Sequence, residues 1–256
     1  MLSFATEAVK DEQVAVMCRY CRRVEITSFR SFQSGRLKAI AGFFSLSPRS
    51  VIDTYNSDMA SLVTDAVRNE PFDLVIASEI DSAPYALLAG PMPKLLDELQ
   101  LATFYDQFYG QSQPLKKIRY WLTWAKLQNY IAQLASQFSG CTTASNQERD
   151  QILAAVRPKC PLQVIPNGVD VEFYVHKQSK PRPDTLIYSG ALTFDANFDA
   201  VAFFLKQIWP LIRAERPQAH FFITGKTDGV PLKQLLPGER VEFTGYLDDI
   251  RPAIAG

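Results

Sequence analysis

The chain has 256 residues, 47% of them hydrophobic and 21% charged, and its 27 Lys and Arg balance 27 Asp and Glu. That is enough chain for one large or two ordinary α/β domains with buried cores, and the composition excludes a disordered protein. Without net charge no global field recruits nucleic acid, and no apolar run approaches the ~20 residues of a membrane-spanning helix.

The N-terminus, MLSFATEAVKDE, shows no basic region followed by an apolar one, so no secretory signal is apparent. Cysteines stand at 18, 21, 141 and 160. Cys18 and Cys21 form a C-x-x-C, but the other two are 19 residues apart and have no His nearby, which does not match a zinc site. Reduced cysteines in a cytoplasmic protein is the reading to expect, with a redox or metal role as the alternative.

In chain order, residues 2–6 read as the end of a strand, 11–22 as a helix packing through Val14, Met17 and Cys18 or Cys21, and 24–29 (VEITSF) as an alternating strand. Residues 35–50 combine Arg36, Lys38 and Arg49 with Leu37, Ile40, Phe43, Phe44 and Leu46. Two readings stand there: a membrane-surface or lipid-acceptor segment, and a short core-facing helix with solvated charges. A helix over 59–68 precedes FDLVIAS (72–78), whose near-continuous apolar run predicts a buried parallel strand followed by Glu79 and Asp81.

A short strand over 93–96 ends in Asp97 and Glu98. Residues 114–138 predict a long helix with Leu115, Ile118, Leu122, Leu127, Ile131, Leu134 and Phe138 on one side and its Trp and Tyr residues in the core. A strand over 141–145, a helix over 146–156 and a strand over 162–165 follow. Then come the turn Pro166-Asn167-Gly168 and VHKQSKPRPD (175–184), which lacks apolar periodicity. This composition shift predicts domains over 1–166 and 184–256 with a linker over 167–183.

The second domain opens with a βαβ pattern over 184–225: a strand Thr185–Ser189, Gly190, a loop, a helix over 198–214, a strand His220–Thr224 and Gly225. Gly245 closes a third strand over 241–244. Three Gly-ended strands place side-chain-free loops at the carboxyl edge of a parallel sheet, where open α/β sheets bind ligands.

The ordered set VIPNGVDVEFY (164–174), LIYSG, ANFDAVAFFLKQIWPLIRAERPQAHFFITGK and VEFTGYLDDIRP resembles the family 4 glycosyltransferases of the GT-B fold, in the branch where a Gly-x6-Asn loop, here Gly190 to Asn197, precedes the helix. The resemblance is specific from 164 to 252 and diffuse before that. It implies two Rossmann-like α/β domains, the first for a saccharide or lipid-linked acceptor and the second for a nucleoside diphosphate sugar. That donor is a substrate, and no further cofactor, metal or nucleic acid is implied. It also implies a retaining transferase of glycan or polysaccharide biosynthesis, in the cytoplasm or at the inner face of the cell membrane with peripheral contact.

By the same resemblance Gly190 lies under the diphosphate or sugar, Gly225 and Gly245 open the neighbouring loops, and Leu247 and Asp249 lie against the nucleobase. Asp249 also suits a helix cap. Asp97 and Glu98 are the candidates for contact with the acceptor or reacting sugar. The chain departs from the family pattern in three places. The loop ALTFDANF has no cation, leaving Lys226 to neutralise phosphate; no Glu-x7-Glu follows Asp249 within the 256 residues; and no Gly-rich first βα turn precedes residue 1. The expectation is a fragment, with an incomplete second domain and little transfer activity alone. A non-catalytic glycosyltransferase relic that binds or scaffolds is the alternative. A nicotinamide dehydrogenase is disfavoured, because no G-x-G-x-x-G occurs.

Overall fold

The computed structural model describes residues 1–101, 114–175, 181–235 and 238–255; His176, expected in the linker, and the side chain of Leu115 lie outside them. Among the described residues every strand pairing is parallel, in three sheets of order β1-β2, β3-β4-β5-β6 and β7-β8-β9. The chain divides into Met1–Asn167 and Gly168–Gly256.

In the first unit β1 (Leu2–Ala5) pairs with β2 (Glu25–Ser28), joined through α1 (Asp11–Met17). The helix expected to run to residue 22 therefore ends at Met17, and it buries none of its residues. Val14 is half-buried while Met17 and Cys18 are exposed, so the expected packing stripe does not form.

The segment 35–50 also differs from the core-facing expectation. It folds as α2 (Leu37–Ala41), a 3-10 turn (Gly42–Phe44) and the entry to α3 (Arg49–Thr54). Only Ala39, Gly42 and Pro48 are buried there, while Leu37, Phe44 and Leu46 are 85%, 93% and 86% exposed. Arg49 organises the turn instead. Its guanidinium lies 3.7 Å from the Phe43 ring centroid and donates to the carbonyls of Ala39 and Ser34. Asp53, fully buried, accepts from the Gln33 amide at 2.9 Å and pairs with Arg36 at 3.2 Å.

Helix α4 (Ser57–Asn69) starts where Asn56 accepts the amides of Asp58 and Met59, at 2.7 and 3.2 Å. Strand β3 (Val75–Ser78), read from its apolar run as buried on both faces, is the edge of the four-stranded sheet. Ile76 is 59% exposed. A groove of about 660 Å³, lined by Met1, Leu2, Phe4, Met59, Val63 and Ile76 among others, separates that edge from β1. Helix α5 (Glu79–Ala86), β4 (Lys94–Asp97), α6 (Pro114–Ala135), β5 (Gly140–Thr143), α7 (Asn146–Ala155) and β6 (Leu162–Val164) complete the unit.

The core lies under this sheet, around Leu96, Ile131 and Ile152, all fully buried. Helix α6 enters it from Trp124 onward, through Leu127, Ile131, Leu134 and Ala135, with Phe138 just beyond its end. Ile118, Leu122 and Trp121 are more than half exposed, so among the described side chains the buried stripe lies in the last three turns of the helix. No helix among the described residues is long and apolar enough to cross a membrane.

The second unit begins with a short helix, α8 (Val171–Tyr174), capped by the Asp170 carboxylate on the Phe173 amide at 2.9 Å. Strands β7 (Thr185–Ser189), β8 (His220–Thr224) and β9 (Val241–Gly245) follow. Between β7 and β8 runs one long helical stretch: α9 (Asp195–Phe203), a π-helical turn (Phe204–Ile208) and α10 (Trp209–Glu215). Pro210 explains the widened turn. Proline has no N–H for the carbonyl four residues back and its ring crowds that carbonyl, and the extra residue in a π turn relieves both. Val201, Leu205 and Trp209, four residues apart, are buried against Phe221 and Ile223 of β8.

Candidate functional site

Parallel strands bring their carboxyl ends to one edge of each sheet, so each unit has one edge to inspect. In the first unit, Ser78 and Asp97 are level at the ends of β3 and β4. The next residue in each strand turns the chain with a left-handed backbone: Glu79 has φ 62° and Glu98 has φ 59°. Non-glycine residues held there carry backbone strain that neighbours must offset.

At Glu98 the neighbour is Thr142 of β5. Its hydroxyl accepts the Glu98 amide at 3.0 Å and donates to Oδ1 of Asp97. Its carbonyl takes the Leu99 amide at 2.9 Å. Thr142 is buried while Asp97 and Glu98 are half-buried, so a single threonine anchors both candidate acids at the rim. Next to it, Thr143 donates to Glu148 Oε2 at 3.1 Å. Nothing in the sequence pattern singled out Thr142, because its role depends on β4 and β5 being neighbours.

Asp81, two residues beyond Glu79, is open to solvent yet crowded enough by protein to hold its carboxyl above the usual range. Its charge reaches Tyr85 and Tyr130. Burial, with help from Asp81 and Tyr85, pushes the Tyr130 phenol up to about 12. Tyr85 stacks on Tyr55 with ring centroids 5.2 Å apart, and its hydroxyl accepts the Asn56 amide at 2.8 Å.

In the second unit, the edge of β7-β8-β9 gathers Gly190, Gly225 and Gly245. Their loops are knitted together by the backbone: the Gly190 amide donates to Thr224, that of Gly225 to Gly245, and that of Leu192 to Lys226, at 2.9 to 3.1 Å. Gly225 has φ 124°, and a Cβ there would stand 2.3 Å from the Gly190 carbonyl oxygen. Only glycine lets these two loops approach so closely. At Gly190 a Cβ would meet Asn197 Nδ2 at 2.9 Å.

Asn197 is a latch. Its Oδ1 accepts the Tyr188 hydroxyl at 3.0 Å and its Nδ2 donates to the Ala191 carbonyl at 2.9 Å, holding the loop between Gly190 and α9. Lys226 is exposed, with Asp228 3.9 Å away. Leu247 is half-buried. Asp249 accepts the Arg251 amide at 3.0 Å and makes a two-pronged pair with the Arg251 guanidinium, Nε to Oδ1 at 2.8 Å and Nη2 to Oδ2 at 2.7 Å. Asp249 thus caps the turn into α11 (Arg251–Ala255). Arg251 also lies 4.0 Å from the Phe173 ring centroid and donates to the Phe173 carbonyl, tying α8 to this edge. No sequence pattern pointed to Arg251, because Phe173 stands 78 residues away.

The structure therefore gathers Gly190, Asn197, Gly225, Lys226 and Gly245 at one edge with Leu247 and Asp249 just beyond it, and places Asp97 and Glu98 at the corresponding edge of the first unit. No group of three metal-ligating side chains is present among the described residues.

These parallel α/β units are Rossmann-like, in keeping with the GT-B fold of glycosyltransferases. Residues 22–173 match Glycosyltransferase Family 4, and residues 183–256 match the glycosyl transferases group 1. The chain belongs to Glycosyltransferase Family 4. Among solved structures, 36 chains match. One is a UDP-glucosyltransferase from Polygonum tinctorium, in a complex with 3,4-dichloroaniline, at 12% identity and a TM-score of 0.43 over 95% of this chain. The match covers 64% of that protein's chain. No curated protein sequence matches.

Proposed function

We propose that this chain takes part in a retaining transfer of a sugar from a nucleoside diphosphate sugar to a saccharide or lipid-linked acceptor. The observation that carries the reading is the knitted edge of β7-β8-β9, where Gly225 brings backbone against the Gly190 loop directly ahead of the amino end of a long helical stretch. Backbone without side chains, next to a helix N-terminus, suits a diphosphate. Lys226 supplies the positive charge, Asp249 accepts from a base N–H, and Asp97 and Glu98 face the acceptor or the reacting sugar. Stabilising the leaving diphosphate electrostatically is the main demand on such a site, so no protein nucleophile is required.

Calorimetric titration with UDP, GDP and ADP tests this. At least one should bind weakly, and Lys226→Ala should weaken it about threefold to tenfold, the share of an exposed charge on a phosphate. Absence of binding by all three would overturn the reading. A second reading, a non-catalytic binding or scaffold protein, draws on one observation: the amides of Gly190 and Gly225 and both polar groups of Asn197 are engaged within the protein. Nucleotide binding without sugar transfer would favour it.

On the acceptor side, exposed Leu37, Phe44 and Leu46 beside Arg36 and Lys38 suit peripheral contact with an anionic bilayer. Flotation with vesicles containing anionic lipid checks it; binding unaffected by Phe44→Asp with Leu46→Asp would remove that part of the proposal.

A further inference from the structure

Cys141 and Cys160 take no part in either edge described above. Cys141 is the second residue of β5 and is 1% exposed; Cys160 precedes β6 and is half-buried at the surface. Their sulfurs stand 3.3 Å apart. The sheet holds Cys141 and the chain directly after Cys160, since the Cys141 amide donates to the Pro161 carbonyl at 2.8 Å and Cys141 is in register with Leu162. A disulfide of about 2.05 Å requires the sulfurs to approach by about 1.25 Å.

We propose that Cys141 and Cys160 are a redox modification site that closes to a disulfide on reaction with a low-molecular-weight disulfide such as oxidised glutathione. The more accessible sulfur reacts first. The Cys160 thiolate attacks one sulfur of oxidised glutathione, one glutathione thiolate leaves, and Cys160 carries a mixed disulfide. Cys141, losing its proton to the released thiolate, then attacks the Cys160 sulfur and expels the second glutathione. Two protein thiols are oxidised and one oxidised glutathione is reduced to two glutathiones. Burial pushes the Cys141 thiol up, which makes Cys160 the entry point and the second step the slower one. The product clips β5 to the entry of β6 and encloses α7 in a covalent loop, so the βαβ unit that presents Thr142 gains a cross-link.

The test uses the full chain with Cys18→Ser and Cys21→Ser, so that only this pair is read. After exposure to oxidised glutathione, tryptic mapping without reductant should give a Cys141–Cys160 cross-linked peptide lighter by two hydrogens. The melting temperature should rise by roughly 5 to 10 °C, from the entropy the loop removes from the unfolded chain. Cys141→Ser should stop the reaction at the Cys160–glutathione adduct. A lasting adduct with Cys141 present, or two thiols that still alkylate freely, would overturn the proposal. So would a cross-link that leaves the melting temperature unchanged or lower, because it would then have formed from an opened structure. Should Cys141→Ser fail to fold, the peptide map and melting temperature of the protein that keeps both cysteines decide the question without it.

Discussion

The hydroxyl of Thr142 accepts the backbone amide of Glu98 at 3.0 Å, and so holds in place a residue whose φ is 59°. The same oxygen donates to Asp97. Thr142→Val keeps the shape but removes the donor and the acceptor, leaving a half-buried amide and a carboxylate oxygen without this partner. Urea unfolding should show a loss of about 1 to 3 kcal/mol, with Thr142→Ser recovering most of it. Equal stability of the Val variant and the parent would mean that solvent replaces the threonine.

Gly225 and Gly229 both have positive φ, 124° and 74°, but differ in what surrounds them. Gly229 has open space where a Cβ would go; Gly225 has the Gly190 carbonyl 2.3 Å away. Gly229→Ala should therefore cost only the backbone penalty, about 1 kcal/mol. Gly225→Ala adds a backbone collision, for a total of about 3 kcal/mol or more, and should disrupt the knitted loops. Thermal melts of the two variants, run side by side, compare these terms, and a ranking in the opposite order would refute the packing argument.

Tyr130, with its phenol raised to about 12, makes the protein sensitive to alkali. Below pH 10 the phenol is neutral in both folded and unfolded chains. Between pH 10 and 12 the unfolded chain loses the proton while the folded one keeps it, so stability present below pH 10 drains away as pH rises, by up to about 2 kcal/mol for this group. Tyr130→Phe should flatten that part of a stability-versus-pH curve, and an unchanged slope would contradict the assignment.

Asp81 follows the same sign at the acid end. Its folded pKa is raised, so its contribution is complete below the ordinary carboxylate value and declines as pH rises through the raised one. Asp81→Asn should remove that decline in urea-midpoint measurements across the acid range. A steeper decline in the variant would show that Asp81 is stabilised as a charge.

Asp249 has a structural role and a proposed one to separate. Its carboxylate already caps the Arg251 amide and pairs with the Arg251 guanidinium. If it also accepts from a nucleobase, Asp249→Ala should weaken nucleoside diphosphate binding about tenfold in calorimetry, the share of one hydrogen bond to a charged group. Unchanged affinity would leave the cap and the ion pair as its whole function.

The strands, their glycine-ended loops and the family are legible in the residues alone, because these reside in short-range patterns: apolar period, turn residues and an ordered set of motifs between 164 and 252. Such patterns cannot tell an edge strand from a central one. FDLVIAS reads as a buried strand, yet among the described residues β3 has a neighbour on one side only, and Ile76 is open. Nor do they anticipate the π turn ahead of Pro210, in a helical stretch that buries Leu205 and Trp209. It took the folded arrangement to bring Thr142 to Asp97 and Glu98, Asn197 to Tyr188 and the Gly190 loop, Arg251 to Phe173, and Cys141 to Cys160. Most of these partners come from elements far apart in the chain, and a hydrogen bond or sulfur contact acts only over a few ångströms, so it exists only once the sheet has set its strand order and register.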